Sequence, residues 1–368
     1  MNMRGNHILY SRPNKVRTQK VTERQCAPRN VFAFAPGLTD DMRADFPPPM
    51  TSLPSSSHAP SPATGAIIDR VLQQLNTVIL GKEYAVRVAL ACLLARGHLL
   101  IEDMPGVGKT TLAQALTRSL GLSLKRIQFT NDLLPADILG NSIFDQRLQK
   151  FVFHPGPIFS QVVLADEVNR ATPKTQSALL EAMEEGQVTI DGVSHPLPTP
   201  FFVIATQNPR HQIGTYPLPE SQLDRFRMRL ELGFPDREAE RRMLLSMDRR
   251  KQVPLLDAVV TAEDLIRLQD EASQVHVSEP MLDYLLDILA HSRANKQSGA
   301  GLSPRAGIAL QRSAQAWALM HGRRMVLPED IQAVAPYVMA HRLSPWAAGS
   351  GNNLGAAEEL LRIVPVPV

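Results

Sequence analysis

Cysteine is scarce: Cys26 and Cys92 are the only two in 368 residues. They have neither the spacing of a zinc site nor that of a redox pair, and they cannot staple a secreted scaffold. A reducing, cytoplasmic setting is the simplest reading of that usage. Long apolar runs are also missing. No stretch approaches the roughly 18 residues a bilayer-crossing helix needs, so no membrane span is expected. The basic N-terminus lacks the apolar segment of a secretory leader. An excess of one charge sign is absent too. Lys plus Arg number 39 against 36 Asp plus Glu, a net +3, too little to argue for a nucleic-acid or membrane partner. The remainder is ordinary for a globular chain, 44% apolar and 20% charged, and long enough for two or three domains.

Residues 1–64 differ from the rest of the chain. Arg12, Lys15, Arg17, Lys20, Arg24 and Arg29 cluster early, followed by Pro47-Pro48-Pro49 and a Ser/Pro-rich stretch from Ser52 to Thr64. No apolar period is sustained, and a disordered, solvated extension is expected. An upstream start codon would produce such a stretch as well. From Ile67 the pattern becomes helical, with Ile67-Ile68, Val71-Leu72 and Leu75 on one face. A second helix is expected over Lys82 to Arg96.

Leu99-Leu100-Ile101 reads as a buried strand and runs into Glu102-Asp103-Met104-Pro105-Gly106-Val107-Gly108-Lys109-Thr110-Thr111. Leu112, Ala115, Leu116 and Leu120 then repeat at helical spacing. Strand, Gly-rich turn and Gly-Lys-Thr opening a helix form the layout of a phosphate-binding loop, the Walker A motif. Gly106 and Gly108 let the loop from Pro105 to Thr111 curl so that its successive N–H groups, from Gly106 onward, converge on one anion, and the helix start adds its positive dipole end. Lys109 suits the β- and γ-phosphates of ATP, and the Thr110 hydroxyl suits Mg²⁺. One residue departs from the general pattern: Asp103 stands where glycine is usual.

Gln161-Val162-Val163-Leu164-Ala165-Asp166-Glu167 is an apolar strand ending in two carboxylates. Its end brings Asp166 to the sheet edge that carries the phosphate loop, where it can hold the same Mg²⁺. Glu167 can polarise a water for attack on the γ-phosphate. Phe201 to Thr206 is another buried strand; Pro209 ends its pairing and leaves Asn208 at the tip, where its amide can orient that water. Leu223-Asp224-Arg225-Phe226 follows a short helix begun by Pro219, and Arg225 there can reach a neighbouring subunit's phosphate. Arg227 and Arg229 are alternatives for that role, and a surface ion pair is another. Two hairpins are expected, at 143–153 and, on the stronger Asp191-Gly192 turn signal, at 188–193. Each is either a structural flap or a partner-touching element.

The run from Ala165 to Glu185, with Thr206 to Pro209, Gly214 to Glu220 and Gly301-Leu302-Ser303-Pro304-Arg305, resembles the MoxR family of AAA+ ATPases. The resemblance covers about residues 66 to 343. It implies an α/β nucleotide-binding core with a parallel sheet over 65–235, an all-α lid over 236–345, and ATP hydrolysis with Mg²⁺. It also implies a homo-oligomeric ring, usually a hexamer. By the same resemblance Asn208 is sensor one, Arg225 the arginine finger and Arg305 sensor two. The hairpins match an insert in the second core helix and the one preceding sensor one. The implied clients are proteins with von Willebrand factor A domains. Thr172 and the stretch Arg210 to Ile213 depart from the family pattern, whereas Asp103 is tolerated in relatives. Thr261-x-x-Asp264, Ser278-x-Pro280 and Ser303-Pro304 mark lid helix starts, Trp317 and Leu319 read as lid core, and 346–368 reads as a tail without a clear role. Two rival functions remain at this point: a nucleic-acid motor of the same clade, disfavoured by weakly basic hairpin tips, and a scaffold that binds ATP without cleaving it.

Overall fold

The computed structural model describes residues 62–208, 215–245, 252–294, 301–343 and 353–367. The extension up to Ser61, the strand-ending Pro209 and the divergent stretch 210–213 lie outside the described residues. Helix α1 (Pro62–Val78) starts slightly before the expected boundary, and Thr64 is already buried, its hydroxyl donating to Glu271 at 2.8 Å. Helix α2 (Glu83–Leu94) comes next.

The core is a five-stranded parallel sheet. Its strands are β1 (Leu99–Glu102), β2 (Leu124–Gln128), β5 (Val162–Asp166), β8 (Phe202–Gln207) and β9 (Met228–Leu230). They lie side by side in the order β2–β5–β8–β1–β9. Leu99 lies opposite Ile204 on one side and Met228 on the other. Every residue of β5 and β8 is buried, as parallel strands covered on both faces require. Strand alternation divides the side chains between two apolar clusters. Leu99, Ile101, Leu164 and Ile204 pack toward α1, α2 and α3 (Lys109–Ser119), while Leu100, Val163, Ala165 and Val203 pack toward α5 (Pro173–Glu185). All carboxyl ends of a parallel sheet share one edge, where ligands of open α/β sheets bind. The loops after β1, β5 and β8 therefore converge there.

After β2 come the short helix α4 (Pro135–Leu139) and a hairpin, β3 (Gly140–Asp145) with β4 (Lys150–Pro155), in which Ile143 faces Val152. The second hairpin pairs β6 (Gln187–Ile190) with β7 (Val193–Pro196). Its turn has φ +52° at Asp191 and +79° at Gly192, the left-handed pair that an Asp-Gly type I′ turn demands. The hairpins touch through the Phe153 and His195 rings, stacked at 4.1 Å.

The short helix α6 (Glu220–Leu223) precedes β9, and α7 (Arg237–Leu245) comes after it. The lid helices are α8 (Ala262–Ser273), α9 (Glu279–Ala294), α10 (Pro304–Met320) and α11 (Pro328–Met339). The starts of α8 and α10 obey the expected capping chemistry. Asp264 N–H donates to Thr261 Oγ1 at 3.1 Å and Ala306 N–H to Ser303 Oγ at 3.1 Å. Trp317 and Leu319 are buried, and Trp317 meets the Tyr84 ring of α2 at 5.4 Å. The stretch that read as a tail forms α12 (Asn353–Ile363), which packs on α11 and α9 and buries Ala356, Ala357, Leu360 and Val364.

His98, just before β1, fixes the opposite edge of the sheet. Its Nδ1 accepts from Val203 N–H at 3.0 Å, so Nε2 carries the proton and donates to the Met183 carbonyl at 3.2 Å. A second proton on Nδ1 would face that N–H. Burial, with Arg227 nearby, lowers the imidazole to about 4. His341, bonded to the Phe226 carbonyl at 3.0 Å, is lowered well below its ordinary value by burial as well. The unfolded chain takes up these protons near pH 6.5 and the folded chain does not, so stability falls as pH drops from about 6.5 toward about 4. For His98 the loss is at most about 3 kcal/mol. Urea midpoints measured across that window are expected to fall, and less steeply in His98→Gln. Equal slopes in the two proteins would remove His98 as a source.

Candidate active site

The loop between β1 and α3 has positive φ at Gly106 (+88°) and Gly108 (+99°), and nothing lies within 4 Å of a Cβ built on either. The backbone thus leaves open space on its concave side, the shape of an anion cradle. Lys109, 9% exposed, donates from Nζ to the Asp103 carbonyl at 2.7 Å and, more weakly, to the Gln207 carbonyl at 3.4 Å. Burial lowers its pKa, and the carboxylates of Asp103, Asp166, Glu167 and Glu102 work against that shift.

Asp166, 6% exposed, accepts from Thr206 Oγ1 at 2.6 Å and from Arg126 Nε at 2.9 Å, and its Oδ2 is 3.5 Å from Thr110 Oγ1. Glu167 sits in the left-handed region at φ +56°, unusual for a side chain of its size and a mark of functional positioning. Its N–H donates to Thr206 Oγ1 at 2.9 Å, so one hydroxyl fixes both acids. The Glu167 carboxylate receives Asn208 Nδ2 at 3.2 Å, Gln128 Nε2 at 3.2 Å and Arg170 Nε at 3.0 Å. Asn208 is 1% exposed, and its Oδ1 has no partner among the described residues. A buried amide oxygen left open beside a carboxylate suits holding a water. Phosphate loop, Asp166, Glu167 and Asn208 are therefore together at one edge, as expected.

The donor set fits magnesium. Thr110 and Asp166 offer hard oxygens, and no cluster of three or more His, Cys, Asp or Glu side chains placed to hold a metal occurs among the described residues. Such a pair suits a metal that takes its other ligands from substrate phosphates and water. Beside the loop opens a cavity of about 570 Å³ lined by Val78, Ile79, Leu80, Val107, Phe234 and Met243, a size and apolar character suited to a nucleoside.

Arg225 and Arg305 are elsewhere. Arg225 precedes β9, whose Met228 lies level with Leu99, and Arg227 N–H bonds to the His98 carbonyl, so this turn lies at the amino edge of the sheet. There Glu184 binds both arginines, Arg225 at 3.0 Å and Arg305 through its other oxygen. The hydrogen bond from Arg305 is the main cause of the lowered Glu184 pKa. Pro173 to Glu184 spans roughly 16 Å at helical rise, and that length separates the pair from the phosphate-loop edge. Arg305 is thus not brought to this chain's own phosphate loop. A cavity of about 430 Å³ is lined there by Arg96, Arg225, Arg227, Arg305 and Arg342. Of the alternatives, Arg229 is buried and paired with Glu102 at 3.1 Å and with Glu231, which leaves it no free face. Arg227 lies flat over Gly97 and has no carboxylate partner among the described residues. Arg342 secures the turn, donating from Nε to Asp224 Oδ1 at 2.6 Å and from Nη2 to the Phe226 carbonyl at 2.8 Å.

The contributions of Arg126, Gln128, Thr206, Glu184 and Arg342 were not apparent from sequence. Thr206 carried a faint signal, a hydroxyl at the end of an otherwise apolar strand.

Residues 98–228 match the model of the ATPase family associated with various cellular activities (AAA), and 290–362 match the AAA lid domain. The chain is 39% identical over 285 residues to Chaperone MoxR1 of Mycobacterium tuberculosis, covering 75% of each chain. The chain belongs to the MoxR family of AAA+ ATPases. Protein MoxR of Paracoccus denitrificans is 31% identical, with 73% of this chain and 86% of that one covered. An uncharacterised Bacillus subtilis protein, YeaC, is 46% identical over 82% of this chain and 95% of its own. A crystal structure from Cytophaga hutchinsonii, described as a candidate ATPase, superposes with a TM-score of 0.73 at 38% identity, over 83% of this chain and 96% of that one. All but the last residue of α12 in this MoxR-family chain falls within the matched lid.

Proposed function

We propose that this MoxR-family protein cleaves ATP at a site completed by a neighbouring copy in a ring, and that the cycle remodels protein clients. The observation that carries the proposal is the split of the site residues between two edges of one sheet. The loop, Thr110, Asp166, Glu167 and Asn208 form one half. Arg225 and Arg305, some 16 Å away along α5, form a half that is of use only to another molecule. In this reading Pro105 to Thr111 bind the triphosphate and Lys109 carries charge to its β- and γ-oxygens. Glu167 and Asn208 hold the attacking water between carboxylate and amide, Glu167 drawing its proton. Thr110 and Asp166 would hold magnesium, which would supply neutralisation of the phosphate charge. The arginines of the next copy meet the charge that develops on the transferred group.

The name of the mycobacterial relative and the exposed hairpin tip support a protein client. Ile143, Phe144, Leu148 and Phe151 are exposed on the β3–β4 hairpin, Phe151 by 70%. Apolar side chains suit a polypeptide better than a phosphate backbone, which favours lysine and arginine. Clients with von Willebrand factor A domains, six copies per ring and a cytoplasmic location are part of the same proposal. The described helices include none long and apolar enough to cross a membrane. The test is magnesium-dependent phosphate release from ATP, followed as protein concentration rises. Activity per chain should climb as the ring assembles. Activity per chain that stays constant from the monomer upward would overturn the shared site.

A further inference from the structure

Asp103 occupies the position where the general phosphate-loop pattern has glycine, and its side chain is fully engaged. Oδ1 accepts from Met104 N–H at 2.7 Å. Oδ2 accepts two successive backbone N–H groups of another segment, Leu232 at 2.7 Å and Gly233 at 2.6 Å. The two adjacent amides converge on this one oxygen and form a small anion nest filled by a side chain of the same protein. The Asp103 carbonyl meanwhile receives Lys109 Nζ at 2.7 Å. One residue thus binds the phosphate-seeking lysine through its backbone and the crossing out of β9 through its carboxylate.

That crossing leads straight into the wall of the apolar cavity beside the loop. Phe234 and Pro235 come directly after Gly233 and line it, and so do Glu240, Met243 and Leu244 of α7. The Phe234 carbonyl is held by Lys82 Nζ at 2.6 Å, from the opposite wall. We infer that Asp103 is a positioning residue that locks the phosphate loop to the nucleoside-binding wall, so that phosphates and nucleoside are gripped together rather than separately. The inference rests on ATP binding at this loop. Without the carboxylate the loop can still close on phosphates, because the Lys109 contact uses the backbone. The wall at 234–244 then sits without reference to the loop, and the nucleoside contributes less.

The test compares two ligands of the full chain by calorimetry, each with magnesium: ATP and inorganic tripolyphosphate, which lacks the nucleoside. In Asp103→Ala, ATP is expected to weaken roughly tenfold, the scale of losing one or two hydrogen bonds to a charged acceptor, while tripolyphosphate changes little. Asp103→Asn retains one carbonyl oxygen for Leu232 and Gly233 but turns a donor toward Met104 N–H, so it should lie between parent and alanine variant. Asp103→Gly, which restores the general pattern, should behave like alanine. Equal losses for both ligands, or no loss for either, would overturn the inference. If alanine fails to fold, the asparagine variant decides by the same ratio of affinities. A parent protein that binds neither ligand would instead remove the proposed function, which keeps the two failures distinct.

Discussion

Glu167→Gln is expected to keep ATP bound and to lose turnover by at least about 100-fold, the usual scale for a positioned acid or base. The geometry supports a clean separation of binding from chemistry. Among the described residues Glu167 has no hydrogen bond or ion pair to the phosphate loop; its carboxylate partners are Asn208, Gln128 and Arg170. Its backbone is held independently by Thr206, so the left-handed turn survives the substitution. Glutamine keeps the shape and an acceptor for Asn208 but loses the charge needed to draw a proton from water. Single-turnover phosphate release and fluorescent-nucleotide affinity, measured on the same preparation, check both halves of the expectation. Unchanged turnover would take Glu167 out of its role. The same variant, loaded with ATP, is a trap, and what co-purifies with it identifies clients.

The acids were legible in sequence because each ends a run of apolar residues, and a buried parallel strand must surface at its carboxyl edge. Asn208 emerged from the same logic at the end of β8. The hairpins were legible from alternation and, at Asp191-Gly192, from turn chemistry. What stayed hidden depends on pairing across long stretches of chain. Nothing local marks Asp103 as the acceptor of amides 129 and 130 residues away. Nor does any local pattern mark Arg126 on β2 as the cation beside Asp166, a contact that exists only because β2 pairs with β5. Helix α12 carries its apolar residues at helical intervals, but Gly and Pro on either side and a length of 11 residues made that period weak. Arg305 was the instructive case. Its helix start was readable from Ser303 and Pro304, yet capping says nothing about which edge of the sheet the lid places it on.

Arg225→Ala is expected to leave nucleotide affinity of the single chain near that of the parent while lowering hydrolysis by the assembled protein about 1,000-fold, the lower end of what an arginine finger supplies. Affinity is spared because Arg225 is bound to Glu184 at the amino edge and makes no contact with the loop residues of its own chain. The turn that carries it is held by Arg342 and His341 through backbone carbonyls, so truncation of one side chain leaves the turn in place. Loss of activity alone would not distinguish a shared site from an indirect effect, but mixing does. Lys109→Ala removes the phosphate half of a site and keeps its arginine half; Arg225→Ala does the reverse. Each preparation alone has no intact seam. In randomly mixed rings about a quarter of the seams join an intact phosphate loop to an intact arginine, and hydrolysis should return in that proportion. If each chain used its own Arg225, no combination of the two variants would contain a complete site, and the mixture would stay as inactive as its parts.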